Sequence, residues 1–254
     1  MPVLSRETVF VFGSNRKGIH GGGAALHAAR WCGALRGQGE GLMRDANTGL
    51  SCYALPTKWA PDRTLELELV AEAVFRFKAF AREHPELSFQ VTRVGCGLAG
   101  FTDEQIAPLF ANAPENCLLP GRWLRMADEG VARVIVAGSR TFNQREEVFA
   151  KLAQITSKIH SKSGFEIVSS TAPGADTHAI AWARHAGFAG SVAEIPADWD
   201  LYGRQAGTIR NAQLCWYATH LVAFSDGRDP LTQDLIERAR REELSVRVLP
   251  VRAP

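Results

Sequence analysis

Lys58 is the residue whose type and place in the sequence best suit covalent chemistry. It follows the strand-like run LSCYALP at 50–56 in the order Thr57-Lys58-Trp59, so it is expected at a strand end. A lysine there can grip a phosphate. If burial lowers its pKa, it can attack an anomeric carbon. It can equally be an ordinary solvated surface lysine. Two glycine-rich segments stand ready to share its rim. Asn15 and His20-Gly21-Gly22-Gly23 follow the hydrophobic run at 8–12, and Gly95-Cys96-Gly97-Leu98 follows the run at 88–94. Consecutive glycines let backbone N–H groups approach a phosphate closely, and a following helix N-terminus adds partial positive charge. The same glycines also suit tight turns that need a positive φ. Two such loops after parallel strands would grip a diphosphate from both sides.

The second half repeats the theme with different residue types. Gly138-Ser139-Arg140 ends one hydrophobic run, and Pro173-Gly174-Ala175-Asp176 follows another. Asp198-Trp199, Gly203-Arg204 and Arg210-Asn211 cluster in a third segment, and Thr232 lies beyond a fourth. Glycines, small hydroxyls and arginines after strands suit a phosphorylated ligand, with Arg140 and Arg210 able to grip it bidentately. Alternatively the arginines form ion pairs, Trp199 packs under its loop, and Asp176 caps a helix.

These residues need elements to carry them. Strands are expected at 8–12, 50–56, 88–94 and 117–120, then at 131–138, 165–169, 191–195, 220–224 and 245–249. Helices are expected at 24–31, 67–82 and 103–111, then at 144–160, 176–187, 203–217 and 231–242. The helix at 67–82 is read from Leu67, Val70, Val74, Phe77 and Ala81 at helical spacing. Residues 33–49, with five glycines, read as loop. Strands alternating with helices predict an α/β protein with mainly parallel sheets. Two domains are expected, 1–125 and 131–254.

The totals narrow the function classes. The 29 Lys and Arg against 27 Asp and Glu give a net charge of +2. Neither half is a basic arm, so charge offers no support for broad nucleic-acid binding. The five cysteines, Cys32, Cys52, Cys96, Cys117 and Cys215, form no CxxC pair, which argues against a disulfide framework or zinc. Seven scattered histidines show no ligand spacing, so neither metal nor cofactor is expected. No apolar run is long enough for a signal peptide or a membrane span, and a cytoplasmic protein is expected.

The order GSN, GIHGGGAAL, YALPTK and VGCGLAGF, over about residues 8–120, resembles the macrodomain family. It is most similar to the branch of the terminal ADP-ribose protein glycohydrolase, its antitoxin relatives and phage macro-like proteins. The resemblance implies a three-layer α/β/α domain that binds ADP-ribose. It implies Lys58 as a nucleophile on the distal ribose, Asn15 near that ribose, and the loops at 21–23 and 95–97 around phosphates and ribose. This sequence departs from the family at Ala99 and Ala25, where hydrolytic branches carry an aspartate. Asp103, Glu104 and His20 are the remaining candidates for an acid.

The blocks GSRTF, APGAD and PADWDLYGRQAGTIRN, over about residues 132–250, resemble the YspA-like branch of the SLOG superfamily. That implies a Rossmann-like fold, a nucleotide-type ligand and a homo-oligomer. The base-releasing relatives' catalytic glutamate has no clear counterpart here, Asp234 being the nearest acid. The functions implied are hydrolysis of an ADP-ribosyl N-glycosidic bond on protein or nucleic acid, or non-catalytic sensing of an NAD- or ADP-ribose-derived signal in bacterial–phage conflict. A third is nucleotide N-glycosidase activity in the second half.

Overall fold

The computed structural model describes residues 8–126, 131–157, 164–187 and 191–251. The chain's own contacts divide it into two units, one ending at Pro120 and the other running from Gly121.

The first unit is built around β1 (Thr8–Asn15), an almost wholly buried strand rich in Val and Phe. It is followed by α1 (Gly23–Trp31), β2 (Gly41–Arg44), β3 (Ser51–Ala60), β4 (Arg63–Thr64), α2 (Leu67–Glu83) and β5 (Ser88–Val91). Then come α3 (Asp103–Ile106), a 3-10 turn at Ala107–Phe110, and β6 (Cys117–Leu118). The sheet order is β2-β3-β1-β5-β6, with β4 paired to β3. The pairs β1–β3, β1–β5 and β5–β6 are parallel, whereas β2 and β4 run antiparallel to β3. The helix α2 buries Val70, Ala73, Val74, Phe77 and Ala81. Phe77 meets Phe89 edge-on at 5.5 Å, tying helix to sheet.

The glycine-rich span at 33–49 is not all loop. Gly41–Arg44 pairs antiparallel with residues 51–54. Four residues at a sheet edge give too short an alternation to be read against five glycines. The helix expected at 103–111 begins as α3, with Thr102 and Gln105 forming a capping box, and tightens to 3-10 geometry where Pro108 cannot donate.

The second unit opens with a helix the sequence reading missed, α4 (Gly121–Met126). Arg125 in that helix donates to the Thr219 carbonyl at 2.9 Å. A Cβ on Gly121 would lie 1.9 Å from the Ala218 carbonyl oxygen, so only glycine permits this approach. The unit continues through β7 (Ala132–Gly138), α5 (Arg145–Thr156), β8 (Phe165–Ser169), α6 (Ala175–His185), β9 (Val192–Glu194), α7 (Trp199–Tyr202), α8 (Ala206–Tyr217), β10 (His220–Ser225), α9 (Pro230–Arg241) and β11 (Ser245–Pro250). The end of the helix expected at 144–160 lies outside the described residues. All four strand pairs are parallel, in the order β11-β10-β7-β8-β9. The core includes Val134, Val136, Val148, Leu152, Ile167 and Phe224. The chain is thus α/β throughout, with parallel sheets of Rossmann-like type.

A pH dependence follows from the first unit. The partly buried imidazole of His27 meets Phe10 edge-on at 5.0 Å, and burial lowers its pKa to about 4. The unfolded chain takes up this proton near pH 6.5. The native state therefore resists protonation that the unfolded state accepts. Stability should be full above pH 6.5 and fall as pH drops toward 4. His20, lowered by burial in the same direction, adds to the loss. Denaturant unfolding from pH 7.5 to 4 should show a shallower decline for His27→Gln than for the wild type. Equal slopes would remove His27 from the account.

Candidate functional site

In the first unit β1 is central, and the chain passes from it to β3 on one side and β5 on the other. Ligands collect at such reversals, outside the C-terminal strand ends. A cleft of about 560 Å³ opens there, lined from the ends of β1, β3 and β5. That volume suits a small-molecule ligand.

The β1–β3 register shifts at Ser14/Asn15, so Ser14 faces Pro56 but Asn15 faces Lys58. Pro56 cannot donate to the ladder, and a shift beside it is the usual accommodation in an interior strand. The shift brings Asn15 and Lys58 together on the cleft wall. Lys58 Nζ donates to the Leu98 carbonyl at 3.1 Å and to the Pro61 carbonyl. Two of its tetrahedral directions are thereby fixed. The third carries a proton toward an anion in the ammonium form, or a lone pair in the amine form. Asn15 is spent on the loop after β1: Nδ2 donates to the Ile19 carbonyl at 2.7 Å, and Oδ1 accepts from the Ile19 N–H at 3.2 Å.

Gly21, Gly22 and Gly23 line the cleft with Ala24 and Ala25. Gly22 is the N-cap of α1, which has no side-chain cap and no acid in its first turn. The uncapped amides and helix dipole therefore present positive potential to the cleft. Gly23 has φ +55, where a side chain is strained. The neighbouring Gly21 position has nothing within 4 Å of an added Cβ, so its backbone lies open. Gly95, Gly97 and Leu98 line the opposite side. Leu98 is 75% exposed, and its Cδ1 would lie 3.0 Å from a Cβ on Gly22, so it reaches across between the two loops.

Two expected residues are not on this lining. His20 is buried behind the loop, its Nε2 3.0 Å from Ser14 Oγ and its ring edge-on to Phe12. The Cys96 thiol turns back toward the Val94 carbonyl at 3.7 Å. One lining residue went unread: Arg93, which pairs bidentately with Asp103, Nε–Oδ1 2.9 Å and Nη2–Oδ2 2.5 Å. Asp103 is 3% exposed, so the carboxylate is committed to holding this arginine. A strand-end arginine ten residues before an acid carries no periodic signal. Only the fold brings them together.

In the second unit the order reverses between β7 and β10. The loop after β7 carries Gly138, Ser139 and Arg140. A Cβ on Gly138 would meet Ala175 Cβ and the Phe224 carbonyl oxygen at 2.9 Å, so its lack of side chain lets α6 press on the strand end. Gly174, with φ +96, is the N-cap of α6. Asp176 lies in the first turn and is buried; its Oδ1 accepts from the Ser170 N–H at 3.0 Å and from Ser170 Oγ. Burial pushes this carboxyl up to about 6, opposed by those bonds and by the charge of Arg210. Thr171 sits between them at φ +61, a strained conformation for a β-branched residue.

Asp198 caps α7, accepting from the Leu201 N–H at 3.0 Å. Trp199 does not pack beneath its loop: it is 49% exposed, 6.0 Å from the Arg140 guanidinium carbon. Gly203 has φ +49 and open space about it, and Arg204 is exposed. Arg210 is buried, and burial lowers its pKa; the charge of Asp176 opposes this and that of Arg140 adds to it. Asn211 is structural, donating to the Leu231 carbonyl at 2.9 Å and to Asp234 Oδ2 at 2.8 Å. Thr232 donates to Asp229 in the cap of α9. Among the described residues there is no group of three or more His, Cys, Asp or Glu able to hold a metal, and no helix is long and apolar enough to cross a membrane.

Comparison with known proteins adds three findings. Residues 132–202 match the YAcAr family, described as the YspA, cpYpsA-related SLOG family. The chain is 32% identical over 119 residues to the Gene 61 protein of Mycobacterium phage D29, covering 45% of this chain and 93% of that protein. It also resembles the X-ray structure of DNA processing protein A (DprA) from Streptococcus pneumoniae. That likeness has 16% identity and a TM-score of 0.39 over 75% of this chain and 77% of the other, too weak to bear on function.

Proposed function

Since the chain belongs to the family of the Mycobacterium phage D29 Gene 61 protein and carries a YspA-type SLOG domain at residues 132–202, we propose that it binds nucleotide-derived ligands. The first unit, read as a macrodomain-like domain, takes ADP-ribose and hydrolyses an ADP-ribosyl N-glycosidic bond on protein or nucleic acid. The second, SLOG unit takes a phosphorylated nucleotide. The observation that carries this reading is the cleft at the ends of β1, β3 and β5. There Lys58 donates to two carbonyls on a cleft that the uncapped start of α1 also lines, with a volume fit for a dinucleotide-sized ligand.

The chemistry assigned to each group follows from its place. The amides of residues 23–25 and the Arg93 cation hold the diphosphate. Asn15, locked to Ile19, fixes the loop over the distal ribose. As a free amine, Lys58 attacks the anomeric carbon through its third direction. The C1–N bond to the carrier breaks, and its electron pair leaves with the carrier, which takes up a proton from solvent. Water then releases ADP-ribose from the lysine, restoring the amine. Ala25 and Ala99 supply no acid, Asp103 is engaged by Arg93, and neither Glu104 nor His20 is on the cleft lining. Protonation of the leaving group is therefore left to solvent, which makes this a slow hydrolase.

A second reading, a non-catalytic sensor or sequestering protein, is favoured by those same alanines. Calorimetry with ADP-ribose, alongside turnover of ADP-ribosylated protein and DNA, separates the two. Binding with slow release of ADP-ribose supports the hydrolase, binding without release the sensor. No heat from ADP-ribose overturns both.

A further inference from the structure

The second unit places a buried cation beside an exposed aromatic ring. Arg210 is only 8% exposed. Its one hydrogen bond among the described residues runs from Nε to Asn211 Oδ1 at 3.0 Å, and no carboxylate lies within 4.0 Å of it there. The acids around it act on it by charge from a distance, and their hydrogen bonds go to other groups. Asp176 accepts from Ser170, Asp229 from Thr232, and Asp234 from Asn211 and Arg238. The Arg210 terminal nitrogens are not among the buried atoms that lack a partner, so they reach accessible space. A guanidinium desolvated without a touching counter-charge is costly, and an anionic oxygen on those nitrogens offsets the cost. The charge of Arg140 also acts on Arg210, against those of Asp176, Asp229 and Asp234, and an anion bound between the two guanidiniums would relieve that repulsion.

Trp199 supplies the other half. Nearly half its surface is exposed, and its neighbour Arg140 stands at 6.0 Å, looser than the 4.4 Å between Arg16 and Trp59 in the first unit. Asp198 caps the turn that carries Trp199, which steadies the backbone below the indole. An indole presented this way suits stacking on a flat heterocycle, with a guanidinium nearby to add a cation–π contact.

We infer that Trp199 is the base-stacking, specificity-determining residue of the second unit. Its ligand is a nucleoside phosphate whose phosphate sits on Arg210 and Arg140 and whose base lies on the indole. This rests on the reading of that unit as nucleotide-binding. It goes further in naming the base as a recognised element and Trp199 as what recognises it.

The test is calorimetry on the full chain with AMP, ribose 5-phosphate and adenosine. AMP should bind, with the two fragments at least about tenfold weaker. Trp199→Ala should weaken AMP about tenfold or more and leave ribose 5-phosphate unchanged, while Trp199→Phe keeps AMP binding within about threefold. Arg140→Ala, at an exposed position that cannot unfold the chain by burial, should weaken AMP and ribose 5-phosphate alike. AMP affinity unchanged by Trp199→Ala, or ribose 5-phosphate binding as tightly as AMP, overturns the stacking while leaving a phosphate site standing. Absence of AMP binding to the wild type overturns the nucleotide reading and the inference with it. AMP held in the first-unit cleft is insensitive to Trp199, so a component that persists in all variants does not count as support.

Discussion

Lys58→Ala should cost about a thousandfold or more in the rate of ADP-ribose release while leaving ADP-ribose affinity within about fivefold. The asymmetry follows from what Lys58 does on the cleft wall. Its bonds to the Leu98 and Pro61 carbonyls are local, and both carbonyls are near solvent, so losing the amine leaves little buried and unsatisfied. In the proposed reading, ligand affinity comes mainly from the open backbone at 21–23, the uncapped start of α1 and Arg93, which line the cleft. In the proposed hydrolysis the covalent step rests on Lys58, and Ala25 and Ala99 stand where the hydrolytic macrodomains that this unit resembles carry an aspartate. Single-turnover assays on ADP-ribosylated protein and on ADP-ribosylated DNA read the rate, and calorimetry reads the affinity. Wild-type turnover by the alanine variant would remove Lys58 as nucleophile. An affinity loss as large as the rate loss would recast it as a phosphate clamp.

Gly174→Ala should destabilise the second unit by about 3 kcal/mol or more. At φ +96 and ψ −135 the backbone is in a region that L-residues avoid. Space is lacking as well: the added Cβ would lie 2.4 Å from the Ser139 carbonyl oxygen, a backbone atom that cannot swing aside. Relief requires the start of α6 to move away from the loop after β7. That would also pull Asp176 from Ser170 and disturb the setting of Arg210. The melting midpoint should fall by on the order of 10 °C. Binding of nucleoside phosphates should weaken even below the melt. Gly187→Ala, also at positive φ but with nothing within 4 Å of the new Cβ, is the comparison without such a contact. Equal midpoints for the two variants would show that conformation alone, not the contact with Ser139, sets the cost.

Much of this was legible in the sequence because the signals are local. Alternation of strand and helix patterns gave the α/β class. The helix at 67–82 could be read from five apolar positions, and four of them, Val70, Val74, Phe77 and Ala81, are buried as expected. The cleft-lining glycines at 21–23, 95 and 97 could be named because glycine clusters after hydrophobic runs mark strand-end turns. Less legible were elements whose cause lies elsewhere in the chain. The edge strand β2 exists because residues 51–54 offer it a partner. The helix α4 is held by Thr219 and by the close approach of Ala218 to Gly121.

What the sequence determined by itself is the kind of chain this is: mainly parallel α/β, with glycine loops after its strands. Those are consequences of periodicity and of residue chemistry, both readable within a few positions. The tertiary structure decided which of those residues share a surface. It put His20 behind its loop on Phe12, bound Asp103 to Arg93, and spent Asn211 and Thr232 on helix α9. It also left Arg210 buried without a touching carboxylate and Trp199 open beside Arg140. The reason is that burial and pairing depend on residues tens of positions away, brought close only when parallel strands align, and no local pattern encodes which partner arrives.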